Sequence, residues 1–248
     1  MKPAFELVAA TTEFVVLNKA AGISFHSEQG AGLVVQAEQA LGFKLFPVHR
    51  LDKVTSGLIV LARSNEAAAQ LTRLFTLHQV EKYYLALSMS KPAKKQGWVK
   101  GDMAAARRGA WKLLKTQQNP AVSYFISQGF ADLPVRAFLI KPYSGKTHQI
   151  RVALKSIGAA IAGDALYQGA AADRVYLHAF ALRFSLAGKV YQYQYQQLPE
   201  QGTYFQQLSC SGALQQWAEP WQLNWPDYQQ PQSTTAIDNH NRLTIKHV

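Results

Sequence analysis

The stretch Val48–Arg63 constrains the fold most strongly, because a dense polar cluster in it runs directly into an apolar segment. Its polar half places the carboxylate of Asp52 between the cations of Arg50 and Lys53. The aliphatic run Leu58–Ala62 that follows is typical of a buried strand. A turn that enters a buried strand holds its side chains rigidly at the rim of a cleft. Asp52 is therefore the first candidate for chemistry, and a turn aspartate that bonds its own backbone is the alternative.

The hydrophobic pattern elsewhere alternates between strands and helices. Short β-branched or aromatic runs between turn residues predict strands at 13–19, 57–62, 83–89, 122–129, 135–141 and 190–198. Helical spacing predicts helices at 33–41, at 65–79 behind an N-cap at Ser64, and after an N-cap at Thr147 up to a stop at Gly158. Near the end, Tyr191 and Tyr193 alternate with glutamine, which favours a half-buried strand over an aromatic binding surface. The pattern predicts an α+β fold.

The last part of the chain differs in composition from the rest. From Trp217 onward, glutamine, asparagine, proline and tryptophan dominate and the hydrophobic periodicity is lost. We therefore expect one catalytic domain over residues 1–215 and a C-terminal appendage over residues 216–248. With 48% hydrophobic residues, a domain of this length buries a substantial core.

Positive charge is concentrated in one segment of the chain. The formal net charge of +11 favours a polyanionic partner. Between Lys91 and Lys115, eight lysines and arginines accompany a single acid, and Trp98 and Trp111 stand among them. Aromatic rings between cations suit bases and phosphates, and a solvated face that aids solubility is the alternative. The four cations that we expect to contact nucleic acid are Lys94, Lys95, Arg107 and Arg108.

Cysteine and histidine usage argues against two classes of site. The single cysteine, Cys210, excludes an internal disulfide and a thiolate metal cluster. The seven histidines lack the spacing of a structural metal site, so no metal is expected. The N-terminal residues lack the apolar core of a signal peptide, and no apolar run reaches the length of a membrane span. We therefore expect a cytoplasmic protein with no membrane partner.

Two further segments concentrate functional side chains at the ends of predicted elements. Lys82 and Tyr84 lie two residues apart in an apolar run, so they share one face of a strand. Further along the chain, a polar loop enters a predicted helix whose first turn holds His148 and Arg151. Either the tyrosine or the arginine alone would be unremarkable, since core tyrosines and surface helix arginines are common.

Taken together, these stretches resemble the RluA-type family of RNA pseudouridine synthases. The resemblance is carried by His-Arg-Leu-Asp-x-x-Thr-Ser-Gly at 49–57 and Gly-Lys-Thr-His-Gln-Ile-Arg at 145–151, and it spans roughly residues 5–190. It implies a mixed, mostly antiparallel central sheet flanked by helices and loops, with a cleft across the sheet. Because the match begins near residue 5, we expect a stand-alone catalytic domain without the N-terminal S4-like RNA-binding module of many relatives.

The resemblance also implies an activity and the residues that perform it. Such enzymes detach uracil from its ribose, turn the base and rejoin it through carbon 5, without a cofactor or metal. It implies Asp52 as the essential carboxylate, Tyr84 as the aromatic hydroxyl beside the base and Arg151 as the ion-pair partner of Asp52. Arg50 is implied to fill the gap that the flipped nucleotide leaves. Further contacts to the substrate are expected from His49, Thr55, Lys82, Lys146 and His148.

Elementary chemistry accounts for these residue types. Cleavage of a glycosidic bond builds positive character on the ribose, which a fixed anion stabilises. A carboxylate in a dry cleft stays ionised only beside a cation, and arginine remains charged and grips both oxygens. The residues leave open whether Asp52 attacks the sugar or removes a ribose proton.

The substrate and two rival functions stay open at this point. The expected partner is transfer RNA, ribosomal RNA or both, bound by a monomer with no obligatory protein partner. One alternative is an RNA-binding or RNA-folding protein of the same fold without catalysis. The other is a nucleosidase that uses water, which needs a second carboxylate. Asp164 is the nearest candidate for that carboxylate, although a structural role in its turn is favoured for it.

Overall fold

The computed structural model describes residues 3–27, 30–195, 198, 202–212 and 214–228. The described residues form twelve strands and four α-helices. The strands are β1 (Phe5–Ala10), β2 (Phe14–Lys19), β3 (Phe46–Pro47), β4 (Ser56–Ala62), β5 (Glu81–Ser88), β6 (Gln96–Gly101), β7 (Met103–Ala105), β8 (Trp111–Leu113), β9 (Ala121–Gly129), β10 (Arg136–Pro142), β11 (Leu177–Leu186) and β12 (Lys189–Gln194). The helices are α1 (Leu33–Leu41), α2 (Asn65–Thr76), α3 (Gln149–Ser156) and α4 (Thr203–Cys210).

Ten of these strands form one mixed sheet. Its order is β1-β2-β4-β11-β5-β10-β9-β6, with β3 also paired to β4 and β12 to β11. Among the described residues, β4 and β11 form the one parallel pair, and the other pairs are antiparallel. The strands β7 and β8 form a separate hairpin. The predicted α+β fold with a mostly antiparallel central sheet is confirmed.

The register of three central strands brings distant segments into one row. Gly57 on β4 pairs with Ala179 on β11, which in turn pairs with Tyr84 on β5. A Cβ atom on Gly57 would lie 2.3 Å from the carbonyl oxygen of Ala179, and Gly57 has a φ of +112°. Glycine alone satisfies both conditions. The close approach of β11 therefore explains the glycine that follows the Asp52 turn.

Apolar side chains on both faces of the sheet form the core. Along β2, Val15 and Leu17 pack with α1, whereas Phe14 and Val16 pack with α2 on the opposite face. This alternation follows from the period of two along a strand. On the other half of the sheet, β5, β9 and β10 pack with α3 and α4. The central strands are thus covered on both faces, and this rigid layer positions the Asp52 turn.

Most predicted elements are confirmed in type, with shifted ends. The second helix ends at Thr76 instead of near residue 79, and Ser64 Oγ caps it by accepting the N–H of Ala67 at 3.1 Å. The tyrosine alternation forms the half-buried strand β12, in which Tyr191 stacks on Phe184. The predicted N-cap at Thr147 is wrong, because α3 begins one residue later, behind a different residue.

The described part of the C-terminal segment packs against the rest of the chain. Trp217 is buried, and Trp221, Leu223 and Trp225 contact the same core as β5 and β9. Residues 229–248 of the predicted appendage lie outside the described residues. In the part of the chain that is described, no helix is both long and apolar enough to cross a membrane.

Candidate active site

A cleft of about 1250 Å³ opens beside the Asp52 turn. Nine of the residues predicted for the site line it: His49, Arg50, Asp52, Thr55, Lys82, Tyr84, Lys146, His148 and Arg151. They come from three segments that are up to about a hundred residues apart in sequence. Among the described residues, no three His, Cys, Asp or Glu side chains lie close enough together to hold a metal ion.

Asp52 belongs to a turn that its backbone closes. The carbonyl oxygen of Asp52 accepts the N–H of Thr55 at 3.0 Å, and Thr55 is buried beneath the turn. The Asp52 carboxylate instead faces two basic side chains: its Oδ2 atom lies 3.4 Å from Arg151 Nη1 and 3.9 Å from His148 Nε2. With 19% of the side chain exposed, this carboxylate meets both the cleft and the protein interior. The turn therefore holds the carboxylate at the cleft, beside Arg151 and His148.

Arg151 is bound more closely by Asp164 than by Asp52. Its Nε and Nη2 atoms donate to the Asp164 carboxylate at 2.7 and 2.9 Å, which leaves Nη1 for Asp52. Asp164 is 1% exposed and Arg151 is 5% exposed. Burial alone would lower the pKa of Arg151, but the hydrogen bonds and charge of Asp164, with the charge of Asp52, raise it. The guanidinium therefore stays charged and fixed beside Asp52.

His148 connects the carboxylate to a neighbouring hairpin. It precedes α3 with a φ of +57°, and its Nδ1 atom lies 2.8 Å from Tyr167 Oη. The same hydroxyl oxygen accepts the N–H of Trp111 on β8 at 3.0 Å. Burial lowers the pKa of His148, although the nearby charge of Asp52 opposes that effect. At neutral pH the imidazole is therefore largely neutral, and Arg151 provides the positive charge beside Asp52.

Tyr84 and Lys82 line the cleft from one face of β5, as predicted. Burial, with the charge of Asp52 as a smaller cause, raises the pKa of the Tyr84 hydroxyl. Burial lowers the pKa of Lys82 to about 8. Within the described residues, no carboxylate lies within 4 Å of the Lys82 ammonium, which sits 6.0 Å from the centre of the Phe75 ring. The cleft thus offers a protonated phenol and an uncompensated cation.

Comparison with known proteins identifies the family. Residues 13–156 match the family described as RNA pseudouridylate synthase. The chain belongs to the RNA pseudouridine synthase family. An uncharacterized RNA pseudouridine synthase of Haemophilus influenzae is 49% identical over 183 residues, which cover 72% of this chain and 81% of that protein. The predicted resemblance is confirmed, and the protein is an RNA pseudouridine synthase enzyme.

More distant relatives agree with this assignment. A ribosomal large subunit pseudouridine synthase C of Rickettsia bellii is 32% identical over 172 residues, covering 65% of this chain and 56% of that protein. The structure of human RNA pseudouridylate synthase domain containing 1 matches with a TM-score of 0.67 at 24% identity, over 78% of this chain and 83% of that one. That structural match shows the shared fold.

In this synthase, Gln149 organises the loop that leads to Arg151. Its amide nitrogen donates to Val122 O and Ser123 Oγ, each at 2.9 Å. Its amide oxygen accepts the Ser144 hydroxyl at 2.8 Å and the N–H of Lys146 at 2.9 Å. These bonds attach the loop before α3 to β9.

His49 lines the cleft of the synthase, but its ring is engaged by the framework. Its Nε2 atom accepts the N–H of Val60 at 2.9 Å, and the ring stacks on Phe75 with centroids 4.1 Å apart. Burial, with the charge of Lys82 as a second cause, lowers the pKa of His49 to about 3. The histidine therefore fixes the start of the Asp52 turn in a neutral form. Arg50, the next residue, is exposed at the cleft.

Lys19 is a buried cation next to the Asp52 turn that the sequence analysis did not single out. Its side chain is fully buried at the end of β2, and its ammonium donates to the carbonyls of Ala20, Ile23 and Lys53 at 2.8, 3.0 and 3.3 Å. Burial and the charge of Arg174 lower its pKa to about 7, and the charge of Asp52 opposes them. Lys19 thus ties β2 to the residue that follows Asp52.

The four predicted nucleic-acid cations lie outside the cleft. Lys94 and Lys95 are exposed between β5 and β6. Arg107 and Arg108 are exposed at the tip of the hairpin formed by β7 and β8, which His148 and Tyr167 connect to the cleft. A second cavity of about 490 Å³ lies between this hairpin and the cleft, where it is lined by Trp111 and Lys146. The two cavities share Lys146 in their walls, so they adjoin between the hairpin and the Asp52 turn.

Proposed function

We propose that this synthase converts specific uridines of structured transfer or ribosomal RNA to pseudouridine, with Asp52 as the essential carboxylate after the base has flipped into the cleft. The observation that carries the proposal is the buried pair of Asp164 and Arg151, which keeps a fixed positive charge 3.4 Å from Asp52. We further propose that it acts as a monomer in the cytoplasm, the compartment of these RNAs, without a cofactor or protein partner.

Asp52 has its role in the step that separates uracil from ribose. As the glycosidic bond breaks, positive character develops on the sugar, and an ionised carboxylate at that position stabilises it. Arg151 places a fixed positive charge 3.4 Å from the Asp52 carboxylate, which holds that carboxylate in position through charge attraction. Attack on the sugar and removal of a ribose proton both require the ionised carboxylate, so both routes fit the site.

Tyr84 has its role at the base. Because its pKa is raised, the hydroxyl stays protonated at neutral pH and can both donate and accept a hydrogen bond. A flipped uracil packed on the ring would place its carbon 5 proton within reach of this hydroxyl. We therefore assign Tyr84 to relaying that proton after the new carbon–carbon bond has formed, which restores the aromatic base.

Arg50 and the surface cations have their role in binding RNA. A base inside RNA must first be extruded, at a cost of a few kcal/mol. Arg50 is exposed at the cleft, where its guanidinium can stack in the vacated space and return roughly 1–3 kcal/mol. Lys82 and Lys146 line the cleft itself, and the hairpin cations Arg107 and Arg108 extend this positive surface outward.

The two rival functions are disfavoured by specific contacts. A nucleosidase needs a second carboxylate that faces water or substrate. Both oxygens of Asp164 instead accept bonds from Arg151, and Asp164 is buried. A protein that only binds RNA has no need for an anion at the base of a positively charged cleft, because that anion repels phosphate. The site therefore favours isomerisation over both alternatives.

The test uses total RNA from cells that lack the protein. The wild-type enzyme, Asp52→Ala and the exposed control Asp132→Ala are each incubated with this RNA, and pseudouridines are mapped at nucleotide resolution. We expect new pseudouridines with the wild type and the control, none with Asp52→Ala, and RNA affinity of Asp52→Ala within a few-fold of the wild type. Turnover by Asp52→Ala would overturn the role of Asp52. Binding by the wild type without any pseudouridine would support the non-catalytic alternative, and free uracil would support hydrolysis.

A further inference from the structure

Tyr228 lies in the same cleft as Asp52, although it comes from the C-terminal segment. The cleft is lined on one side by the Asp52 turn and elsewhere by Tyr228 with residues of the loops around β9 and β10. The family match ends at residue 156, so this part of the wall lies beyond the matched residues. The C-terminal segment therefore adds an aromatic ring to the site that the family comparison does not assign.

The segment before Tyr228 is firmly anchored. The Trp225 ring lies 5.6 Å from the Tyr83 ring and 6.0 Å from the Tyr124 ring, and its indole N–H donates to Pro220 O at 2.6 Å. The next residue, Pro226, accepts the hydroxyl of Tyr143 at 2.7 Å. Because these contacts fix the backbone two and three residues earlier, Tyr228 is held at the cleft by more than its own packing.

The ring of Tyr228 belongs to an aromatic cluster that surrounds a cation. Its centroid lies 5.8 Å from that of Trp98 and 6.0 Å from that of Tyr143. The Lys100 ammonium sits between two of these rings, 4.2 Å from the centre of Trp98 and 5.0 Å from the centre of Tyr228. Within the described residues, no carboxylate lies within 4 Å of Lys100. The cluster thus combines a half-buried aromatic face with a positive charge that no acid neutralises.

We propose that Tyr228, with Lys100 beside it, binds a nucleotide next to the flipped uridine, by stacking that nucleotide's base on the tyrosine ring. The proposal rests on the proposed function, since it assumes an RNA whose target uridine occupies the cleft. Base stacking on an aromatic side chain is sequence-tolerant and strong enough to place a strand. Lys100 offers a positive charge to the phosphate of the same nucleotide.

This site restricts the class of RNA that the enzyme accepts. A neighbouring base can stack on Tyr228 only if it has left its own helical stack, as bases in loops, bulges and strand ends have done. The enzyme therefore selects uridines with at least one unpaired neighbour. For a uridine inside a regular duplex, binding would require the free energy of unstacking two bases instead of one.

The experiment uses the full chain and a stem-loop RNA around a uridine that the wild-type enzyme modifies. Tyr228→Ala, Tyr228→Leu and Tyr228→Phe are compared in rate and in RNA affinity, and an abasic residue replaces the base on either side of the target. We expect Tyr228→Ala and Tyr228→Leu to raise KM and Kd about tenfold with kcat within twofold, and Tyr228→Phe to match the wild type. An abasic residue on the stacking side should raise the Kd of the wild type about tenfold. The same abasic residue should not raise the Kd of Tyr228→Ala any further.

The outcomes separate this proposal from the proposed function. If Tyr228 only packs the C-terminal segment, Tyr228→Leu will bind RNA like Tyr228→Phe. The increases in Kd caused by Tyr228→Ala and by the abasic residue will then also multiply when the two are combined. Either result overturns the stacking site. The abasic RNA also tests stacking with the wild-type protein, so the test does not depend on whether the variants fold. If the wild type forms no pseudouridine in any RNA, the proposed function fails, and the same variants still test stacking through Kd for a stem-loop RNA that the wild type binds, with and without the abasic residue.

Discussion

The guanidinium of Arg151 is held through two of its nitrogens by the buried carboxylate of Asp164, at 2.7 and 2.9 Å. The third nitrogen reaches Asp52 at a longer 3.4 Å. The arginine is thus fixed mainly by a residue that does not face the cleft. This arrangement positions a cation beside Asp52 without a close bond that would have to break during the reaction.

Replacement of Asp164 by asparagine tests this arrangement. The change keeps the shape of the side chain but leaves the buried Arg151 with one charged partner, so we expect the free energy of unfolding to fall by about 3 kcal/mol. The guanidinium would also move from its place beside Asp52, and we expect turnover to fall about 100-fold. Urea unfolding and single-turnover rates measure the two effects. The exposed Asp132→Asn should change neither, and normal turnover in Asp164→Asn would show that Arg151 needs no second carboxylate.

The site was predictable where short motifs place functional residues at the ends of elements. The Asp52 turn, Tyr84 and Arg151 follow from the two motifs and the strand between them, and all line one cleft. The ion pair between Asp164 and Arg151 was not predicted, because it depends on a turn whose conformation local sequence patterns do not specify. The burial of Lys19 was not predicted, because lysine side chains are rarely fully buried and a surface position was expected.

The fold was predictable where the hydrophobic period is long and clear. The helix Leu33–Leu41 and the strand at β4 match the predicted bounds within a residue. The row that joins Gly57, Ala179 and Tyr84 could not be predicted, since strand pairing across the sheet is non-local. The β7–β8 hairpin was missed because each of its strands is three residues long. The packing of the C-terminal segment was not predicted, although its tryptophans at every fourth position from Trp217 to Trp225 indicated a buried face.

Removal of the Tyr84 hydroxyl tests the proton relay. In Tyr84→Phe the ring that packs on the base remains, so we expect RNA affinity within a few-fold of the wild type. Turnover should fall by at least about 100-fold, the usual contribution of a positioned proton-transfer group. Tyr83→Phe is the matched control, because the Tyr83 hydroxyl donates to Glu81 and does not line the cleft. Equal rates in Tyr84→Phe and the wild type would move the relay to another group.

The pH dependence of RNA binding tests the state of Lys82. Burial lowers its pKa to about 8, so the side chain is charged at pH 7 and mostly neutral at pH 9. Phosphate binds the charged form, and we expect affinity to fall about tenfold from pH 7 to pH 9. His49 and His78 carry lowered pKa values and stay neutral over this range. Lys82→Met should bind RNA weakly, with an affinity that does not change between pH 7 and pH 9. Lys44→Met, which lies away from the cleft, should keep the pH dependence of the wild type.

Substitution of Gly57 tests the close approach of β4 and β11. An alanine Cβ there would overlap the backbone of Ala179 at 2.3–2.8 Å and force a side chain into a φ of +112°. We expect Gly57→Ala to lower the free energy of unfolding by about 3 kcal/mol or more. The control Gly145→Ala meets only the end of Lys82, at 4.0 Å, so its stability should match the wild type. Thermal unfolding of both variants makes the comparison, and an unchanged midpoint for Gly57→Ala would contradict the register.

The salt dependence of RNA binding tests the contribution of the exposed cations. If about four phosphates are contacted, raising the salt concentration from roughly 50 to 200 mM should weaken binding about 50-fold, because each contact releases counterions. Arg107 and Arg108 are exposed at the hairpin tip, so replacing both by alanine should lower the slope of log affinity against log salt by about 1.4. The exposed helix residue Arg73 provides the control, and Arg73→Ala should leave the slope unchanged. Fluorescence anisotropy with a labelled stem-loop measures all three slopes. A slope in the double variant equal to that of the wild type would remove the hairpin from the RNA-binding surface and leave the cleft lysines as its source of charge.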